Sequence, residues 1–166
     1  TAFLLRSGRV YADREAVIDG ERRFSYAEFL ERCLRLGGAL RNMGVAEGGR
    51  VAVLAPNTHV LLEAHHGVPF AGAVLVALNT RLTAADHSFI VAHSGAQVLI
   101  YDYEFEGVAR DIATQVGGEL RLVRAGRSDD QYEHLLAGGA EAWQQLSPEL
   151  LQSVCRCDYL TRGEKL

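Results

Sequence analysis

His59, Glu63 and His66 recur at i, i+4 and i+7. On a helix these positions share a face, and imidazole plus carboxylate at that spacing can hold zinc. With no fourth ligand in view, the plainer reading is a helix face carrying a His–Glu pair, with zinc as the alternative. His65 falls elsewhere on the same helix and reads as a packed or rim residue. Cys155 and Cys157 could form half of a thiolate site, but no second Cys or His pair accompanies them, so two incidental thiols is the simpler reading. Cys33 lies on an apolar stripe, where burial hides the sulfur and raises the thiol pKa, against a nucleophilic role.

Phosphate chemistry needs a different pattern. A dinucleotide cradle places G-x-G-x-x-G between a strand and a helix. The turns after the three apolar strands are Pro56-Asn57-Thr58, Asn79 to Thr83, and Asp102-Tyr103, and none contains glycine. A Walker loop needs Gly-Lys-Ser/Thr, and Lys165 is the only lysine. Gly37-Gly38 falls inside a helix, where small residues permit close packing. Asn57, Asn79, Arg81, Asp102 and Tyr103 sit at strand C-terminal ends, where open α/β sheets bind ligands. They could line a crevice, or simply cap the turns they occupy.

The elements that position these residues are legible in the periodicity. Ser25-Tyr26-Ala27-Glu28 is a capping box, with Phe24 and Phe29 at the staple positions. Apolar residues then recur helically from Tyr26 to Leu40, and Gly44 ends the helix, with Val45 covering the last turn. Before it, Ala16–Asp19 and Arg22–Phe24 flank Gly20-Glu21 as a small hairpin. Val51–Ala55 is apolar throughout, as in a strand buried on both faces of a parallel sheet. Asn57 is expected to cap a helix from Thr58 to about Val68, which Pro69 kinks or ends. Ala73–Leu78 reads as a second fully apolar strand. Thr83 with Asp86 opens a helix to about His93, which Gly95 stops. Gln97–Tyr101 is a third strand, Glu104–Val116 a helix, and Leu120–Val123 a fourth strand. Asp130–Ala137 reads as a turn or two of helix, and Pro148–Val154 as the start of another. This alternation predicts an α/β fold with a parallel sheet of βαβ units and right-handed crossovers.

Composition sets outer bounds. The 166 residues are 48% hydrophobic and 23% charged, with a net charge of -4. That is one domain's worth of chain, with no electrostatic footprint for nucleic acid. No apolar run approaches the ~20 residues of a membrane span. Residues 1–9 hold a short apolar patch without signal-peptide layout. Three cysteines, none placed for an easy disulfide, suggest a reducing, cytoplasmic setting.

Several stretches, taken in order, resemble the N-terminal region of the adenylate-forming (AMP-binding) superfamily, specifically its medium- and long-chain fatty-acyl-CoA synthetases. They are Asp13–Gly20, Phe24–Phe29, Leu40–Val45, Gly49–Asn57, Glu63–Pro69, Ala71–Val74, Leu78–Thr83, His93–Ile100 and Tyr132–Leu136. Glu63-Ala64-His65-His66-Gly67-Val68-Pro69 and Leu78-Asn79-Thr80-Arg81-Leu82 are also similar to plant acyl-activating enzymes. The resemblance implies an α/β subdomain over residues 1–136 and a divergent tail over 137–166. It also implies, for the full-length enzyme, ATP, Mg²⁺ and coenzyme A acting on a fatty acid through an acyl-adenylate.

That family's Ser/Thr/Gly-rich phosphate loop should follow soon after Leu135, and the sequence there departs from it. The family's adenine motif, ribose-binding aspartate and catalytic lysine lie beyond Leu166. The expectation is therefore a fragment truncated before its active site. It carries no catalytic residue, no cofactor-binding residue and no metal ligand, and is inactive alone. Two alternatives stand beside it. One is a structural module that self-associates through surface the truncation exposes. The other is a flavodoxin-like nucleotide-binding domain, on the sheet alone.

Overall fold

The structure is a computed structural model describing residues 2–118, 120–127 and 130–139. Helix α1 spans Ala2–Val10, a helix the sequence reading did not anticipate. Its single buried residue, Leu4, is too sparse a signal to betray a helical stripe. Strands β1 (Glu15–Asp19) and β2 (Arg22–Ser25) form the expected antiparallel hairpin, turning at Gly20 with φ +59°. Helix α2 (Tyr26–Asn42) starts from the expected capping box, with both Ser25 and Glu28 bonds formed. Gly44, at φ +80°, turns the chain out of α2, and the Val45 N–H closes back on the Leu40 carbonyl.

The α/β unit follows. Strand β3 (Arg50–Leu54) leads to α3 (His59–Phe70), then β4 (Val74–Ala77), α4 (Ala84–Ser94) and β5 (Ala96–Asp102). A 3-10 turn at Tyr103–Phe105 precedes α5 (Glu106–Val116), β6 (Arg121–Ala125) and α6 (Gln131–Gly138). The expected parallel sheet is present: four strands in the order β4-β3-β5-β6. The chain switches direction between β3 and β5, so the C-terminal ends of those two strands flank the topological switch point.

The pleat sorts the core into two layers. Val51 and Val53 face a cluster shared with Leu36 and Leu40 of α2, Val60 and Ala64 of α3, and Tyr132 and Leu136 of α6. Ala52 and Leu54 face the opposite cluster, with Val91 of α4 and Ala109 and Ile112 of α5. A third cluster joins α1 and the hairpin to α2 through Leu4, Val17, Phe29 and Cys33. Phe24 packs against it, completing the staple.

Three expectations need correction. Asn57 does not cap α3; Thr58 is the N-cap residue and its side chain makes no capping bond. A carboxylate from far along the chain takes the role, since Asp19 Oδ2 accepts from the His59 N–H at 2.9 Å. Pro69 lies inside α3, which closes one residue later at Phe70. The run around β4 is not buried on both faces. It is an edge strand with Val74 and Ala77 exposed, because apolar content alone cannot tell an edge from a centre.

Candidate functional site

The chemistry-bearing side chains of the first helices converge on one buried polar cluster. Arg32 sits on α2 one residue before Cys33, so the apolar stripe carries it inward. Its Nε donates to Glu63 Oε1 at 2.5 Å and its Nη2 to Glu63 Oε2 at 3.3 Å. The same guanidinium donates to both carboxylate oxygens of Glu133, at 3.0 and 2.7 Å. Glu63 has no solvent exposure, and its remaining partner is the Tyr132 hydroxyl, which donates at 2.7 Å. One arginine thus ties α2 to α3 and α6.

The hairpin joins the same cluster. Arg22 Nη1 donates to Glu133 Oε1 at 3.3 Å and lies 3.0 Å from His59 Nε2. His59 Nδ1 stands 2.6 Å from Asp19 Oδ2. In neutral His59 these contacts assign the proton to Nδ1, donating to Asp19, with Nε2 accepting from Arg22.

The electrostatics follow from this crowding. Burial disfavours the charged His59 ring, but the carboxylates of Glu133 and Asp19 outweigh it and raise the pKa overall. The imidazole of His59 and the guanidinium of Arg32 hold Glu133 well below the usual carboxylate range. Burial, with Glu63 beside it, pushes the Tyr132 hydroxyl far up. Burial likewise pushes the Cys33 thiol up, as its place on the stripe implied.

This arrangement gives the zinc candidates other partners. His59 and Glu63 are engaged by other residues, and His66 packs edge-on to Phe29 with centroids 5.6 Å apart. Among the described residues no three His, Cys, Asp or Glu side chains are grouped to hold a metal ion. His65 is exposed rather than packed, with its Nδ1 2.7 Å from the Leu61 carbonyl. Cys155, Cys157, the helix expected at Pro148–Val154 and the rest of the tail lie outside the described residues.

The strand-end residues are not brought together into a ligand crevice. Asn79 Oδ1 accepts from the Arg81 N–H, and Asp102 Oδ1 from the Glu104 N–H, each at 3.0 Å. Tyr103 is covered by the Arg127 guanidinium, 4.5 Å from its ring centroid. Asn57 borders a cavity of about 280 Å³ between the hairpin and α3, with Val17, Ile18, Asp19, Leu62 and His65 among its walls.

These turns do not fit the phosphates of ATP. A helix N-terminus receives an anion through free N–H groups. At α3 the Asp19 carboxylate already occupies the His59 N–H, and at α4 the Thr83 and Asp86 side chains take each other's backbone N–H groups. We therefore derive no step through ATP, Mg²⁺ or coenzyme A on these residues.

Sequence reasoning missed Asp19, Arg22, Arg32, Tyr132 and Glu133. A signal existed for two members of the cluster: Arg32 and Glu63 are charges set among apolar helix positions. The hairpin contacts span 37 residues or more and leave no local trace.

Comparison with known proteins places this architecture. The family model described as AMP-binding enzyme matches residues 4–153. A peroxisomal acetate/butyrate–CoA ligase of Arabidopsis thaliana is 40% identical over 109 residues, covering 66% of this chain and 19% of the relative. A peroxisomal benzoate–CoA ligase of the same plant is 39% identical over 109 residues, with the same 66% and 19% coverage. Among solved structures, a benzoate CoA ligase from Burkholderia xenovorans is similar at TM-score 0.72 and 30% identity, over 82% of this chain and 27% of that one. A Mycobacterium tuberculosis fatty acyl CoA synthetase is similar at TM-score 0.72 and 31% identity, over 81% of this chain and 27% of that one. The chain thus spans about a fifth of the length of the curated relatives it matches. With its parallel α/β sheet, matched to those solved CoA ligases, the chain belongs to the AMP-binding enzyme family.

Proposed function

We propose that residues 1–136 are the N-terminal α/β subdomain of an ATP-dependent acid–CoA ligase, with 137–166 a divergent tail. The parent reaction joins a carboxylic acid to AMP and passes the acyl group to coenzyme A, with Mg²⁺ offsetting phosphate charge. A fatty acid is the proposed substrate, supported by the resemblance and by the fatty acyl CoA synthetase among the similar structures. The related ligases named for acetate, butyrate and benzoate mark the range of acids to be assayed beside it. The proposed setting is the cytoplasm, supported by the free, buried Cys33.

In this reading the 166 residues supply scaffold and no chemistry. One observation carries that: at the strand-to-helix turns the His59, Arg81 and Glu104 N–H groups are bound by the Asp19, Asn79 and Asp102 side chains. The test is acyl-CoA and acyl-AMP formation by this polypeptide with ATP, Mg²⁺, coenzyme A and acids from acetate to palmitate. No turnover is expected, and turnover well above background would overturn the inactive assignment.

A second reading is that the polypeptide self-associates. It is favoured by apolar side chains left on the surface of the α/β unit, notably Val74 at 51% and Phe89 at 69% exposure. Light scattering across a concentration series checks it, and a strictly monomeric folded species would count against it.

A further inference from the structure

The outer edge of β4 has the geometry to pair with its own copy. In the parallel ladder the Val74 N–H bonds to the Gly49 carbonyl and the Leu78 N–H to the Val53 carbonyl. Backbone direction alternates along a strand, so Val74, Val76 and Leu78 face β3 while Leu75 and Ala77 aim their N–H and C=O groups outward. Soluble proteins blunt such edges with charge, proline or a bulge. The edge Val74-Leu75-Val76-Ala77 has no charge and no proline, and its register with β3 is unbroken.

We propose that a second copy of this chain pairs antiparallel with β4 about a two-fold axis through Val76. The proposal deepens the self-association reading above by naming its surface. With the axis there, Leu75 of one copy meets Ala77 of the other. Both residues already face outward, so each pair exchanges two backbone hydrogen bonds. The axis runs perpendicular to the sheet and joins two four-stranded sheets edge to edge.

The pleat separates this register from its one-residue neighbours. A one-residue slip about the strand's centre would oppose outward groups to inward ones. An axis through Leu75 would preserve the same hydrogen bonding and is the competing register. With the axis at Val76, the turn after β4 that carries Arg81 comes to the end of the interface where the other copy's chain enters β4 from Gly72. Glu47 borders that point, its Cγ 3.6 Å from where a Cβ on Gly72 would stand. Glu47 and Arg81 are both exposed. Neither side chain has an ion-pair partner among the described residues. Each interface would carry the pair twice, by symmetry. Val74, exposed in the single chain, comes to lie opposite Leu78 of the other copy and beside its Val76.

The experiment is sedimentation velocity on the 166-residue protein from about 1 to 100 μM, a range that brackets a micromolar dimer. It is repeated with Glu47→Arg, Arg81→Glu and the double variant. Both side chains are solvent-exposed, and circular dichroism checks that each variant stays folded. A dimer is expected, loosened about tenfold by either single reversal and tightened again in the double variant. The Leu75 and Ala77 amides should also exchange more slowly as concentration rises. A monomer throughout the range would overturn both this interface and the self-association reading. Association that ignores the charge reversals would overturn the β4 interface alone. Either result leaves the ligase-subdomain assignment standing, because that is tested by turnover.

Discussion

Glu63 has no solvent exposure, so its partners decide whether α3 can pack as it does. Arg32 and Tyr132 both bond to it, and Arg32 is in turn shared with Glu133. Burial works against the Arg32 charge, but the Glu133 and Glu63 carboxylates more than offset it and hold the guanidinium firmly protonated. Removing the Glu63 charge takes away one of the two carboxylates that Arg32 pairs with, Glu133 being the other, so Glu63→Gln should cost about 1–3 kcal/mol in urea unfolding. Tyr132→Phe should cost about 1 kcal/mol, and the two changes should be non-additive because they share an oxygen. A neighbouring residue sets a pH dependence. Burial, assisted by His65, lowers the His66 pKa from 6.5 to about 4. The unfolded chain then binds the proton first, so the His66 contribution is complete above pH 6.5 and is lost as pH falls toward 4. His59 acts oppositely: with its pKa raised, its contribution is present below 6.5 and lost as pH rises through the folded value. Glu133, depressed, contributes above its ordinary 4.5 and loses that contribution as pH falls below it. Urea midpoints from pH 6.5 down to 4.5 follow the first effect, below the range in which the His59 contribution is lost. His66→Gln should show a shallower acid-side loss than the parent protein, and parallel curves would refute it.

At the scale of elements, helices α2 and α3 cross where glycine leaves room. A Cβ on Gly67 would stand 2.6 Å from Leu36 Cδ2, and one on Gly37 would stand 2.9 Å from Phe70 Cβ and 3.2 Å from the Gly67 carbonyl oxygen. Gly67→Ala and Gly37→Ala should each cost about 1–3 kcal/mol through overpacking, Gly37→Ala the more because backbone stands in its way. Ser25→Ala should cost about 1 kcal/mol by opening the α2 capping box, read by the same denaturation midpoint. Asp19→Ala should do more than an ordinary cap loss, since it also unpins the hairpin from His59; faster amide exchange in β1 and β2 than in β3 would show it. These elements also show what the sequence could reveal. The α2 and α4 boxes and the glycine stops after both helices were readable because each is written within four residues. Gly37 was readable as a small residue inside a helix, but the α3 backbone it meets was not. The Asp19 cap was not, because its donor lies 40 residues away. The exposure of β4 was not, because strand order is a property of the assembled sheet. The candidate site divides the same way: Glu63 and His59 stood out by residue type, whereas Arg22, Tyr132 and Glu133 became partners only through tertiary packing.

At the scale of the whole molecule, fold and chemistry separate. The strand order places the β3 and β5 ends at a switch point, where doubly wound sheets commonly seat nucleotides. A flavodoxin-like activity would use that crevice, yet two backbone N–H groups beside it are already bonded. Asp102 holds the Glu104 N–H, and Asp19 puts negative charge against the first N–H of α3. A phosphate arriving at α3 would have to displace a carboxylate that also serves His59, and so would break the hairpin's attachment. On the proposed reading the turns lack a cradle and also set a carboxylate where a phosphate would sit, so no nucleotide is expected to bind. Linkage turns this into a measurement, because a ligand at a hundred times its Kd stabilises the native state by about 2.7 kcal/mol. That is a thermal shift of roughly 5–10 °C for a chain of this size. With Mg²⁺ present, millimolar ATP, NAD, FMN and coenzyme A should each leave the midpoint of the 166-residue protein unchanged. Asp19→Asn is the informative variant, since it keeps hydrogen-bonding capacity and removes the charge. If phosphate binding is blocked only by that carboxylate, the variant gains an ATP-dependent shift. If the turns lack a cradle altogether, as their glycine-free sequences imply, parent and variant stay equally unresponsive, and the second outcome is the one expected.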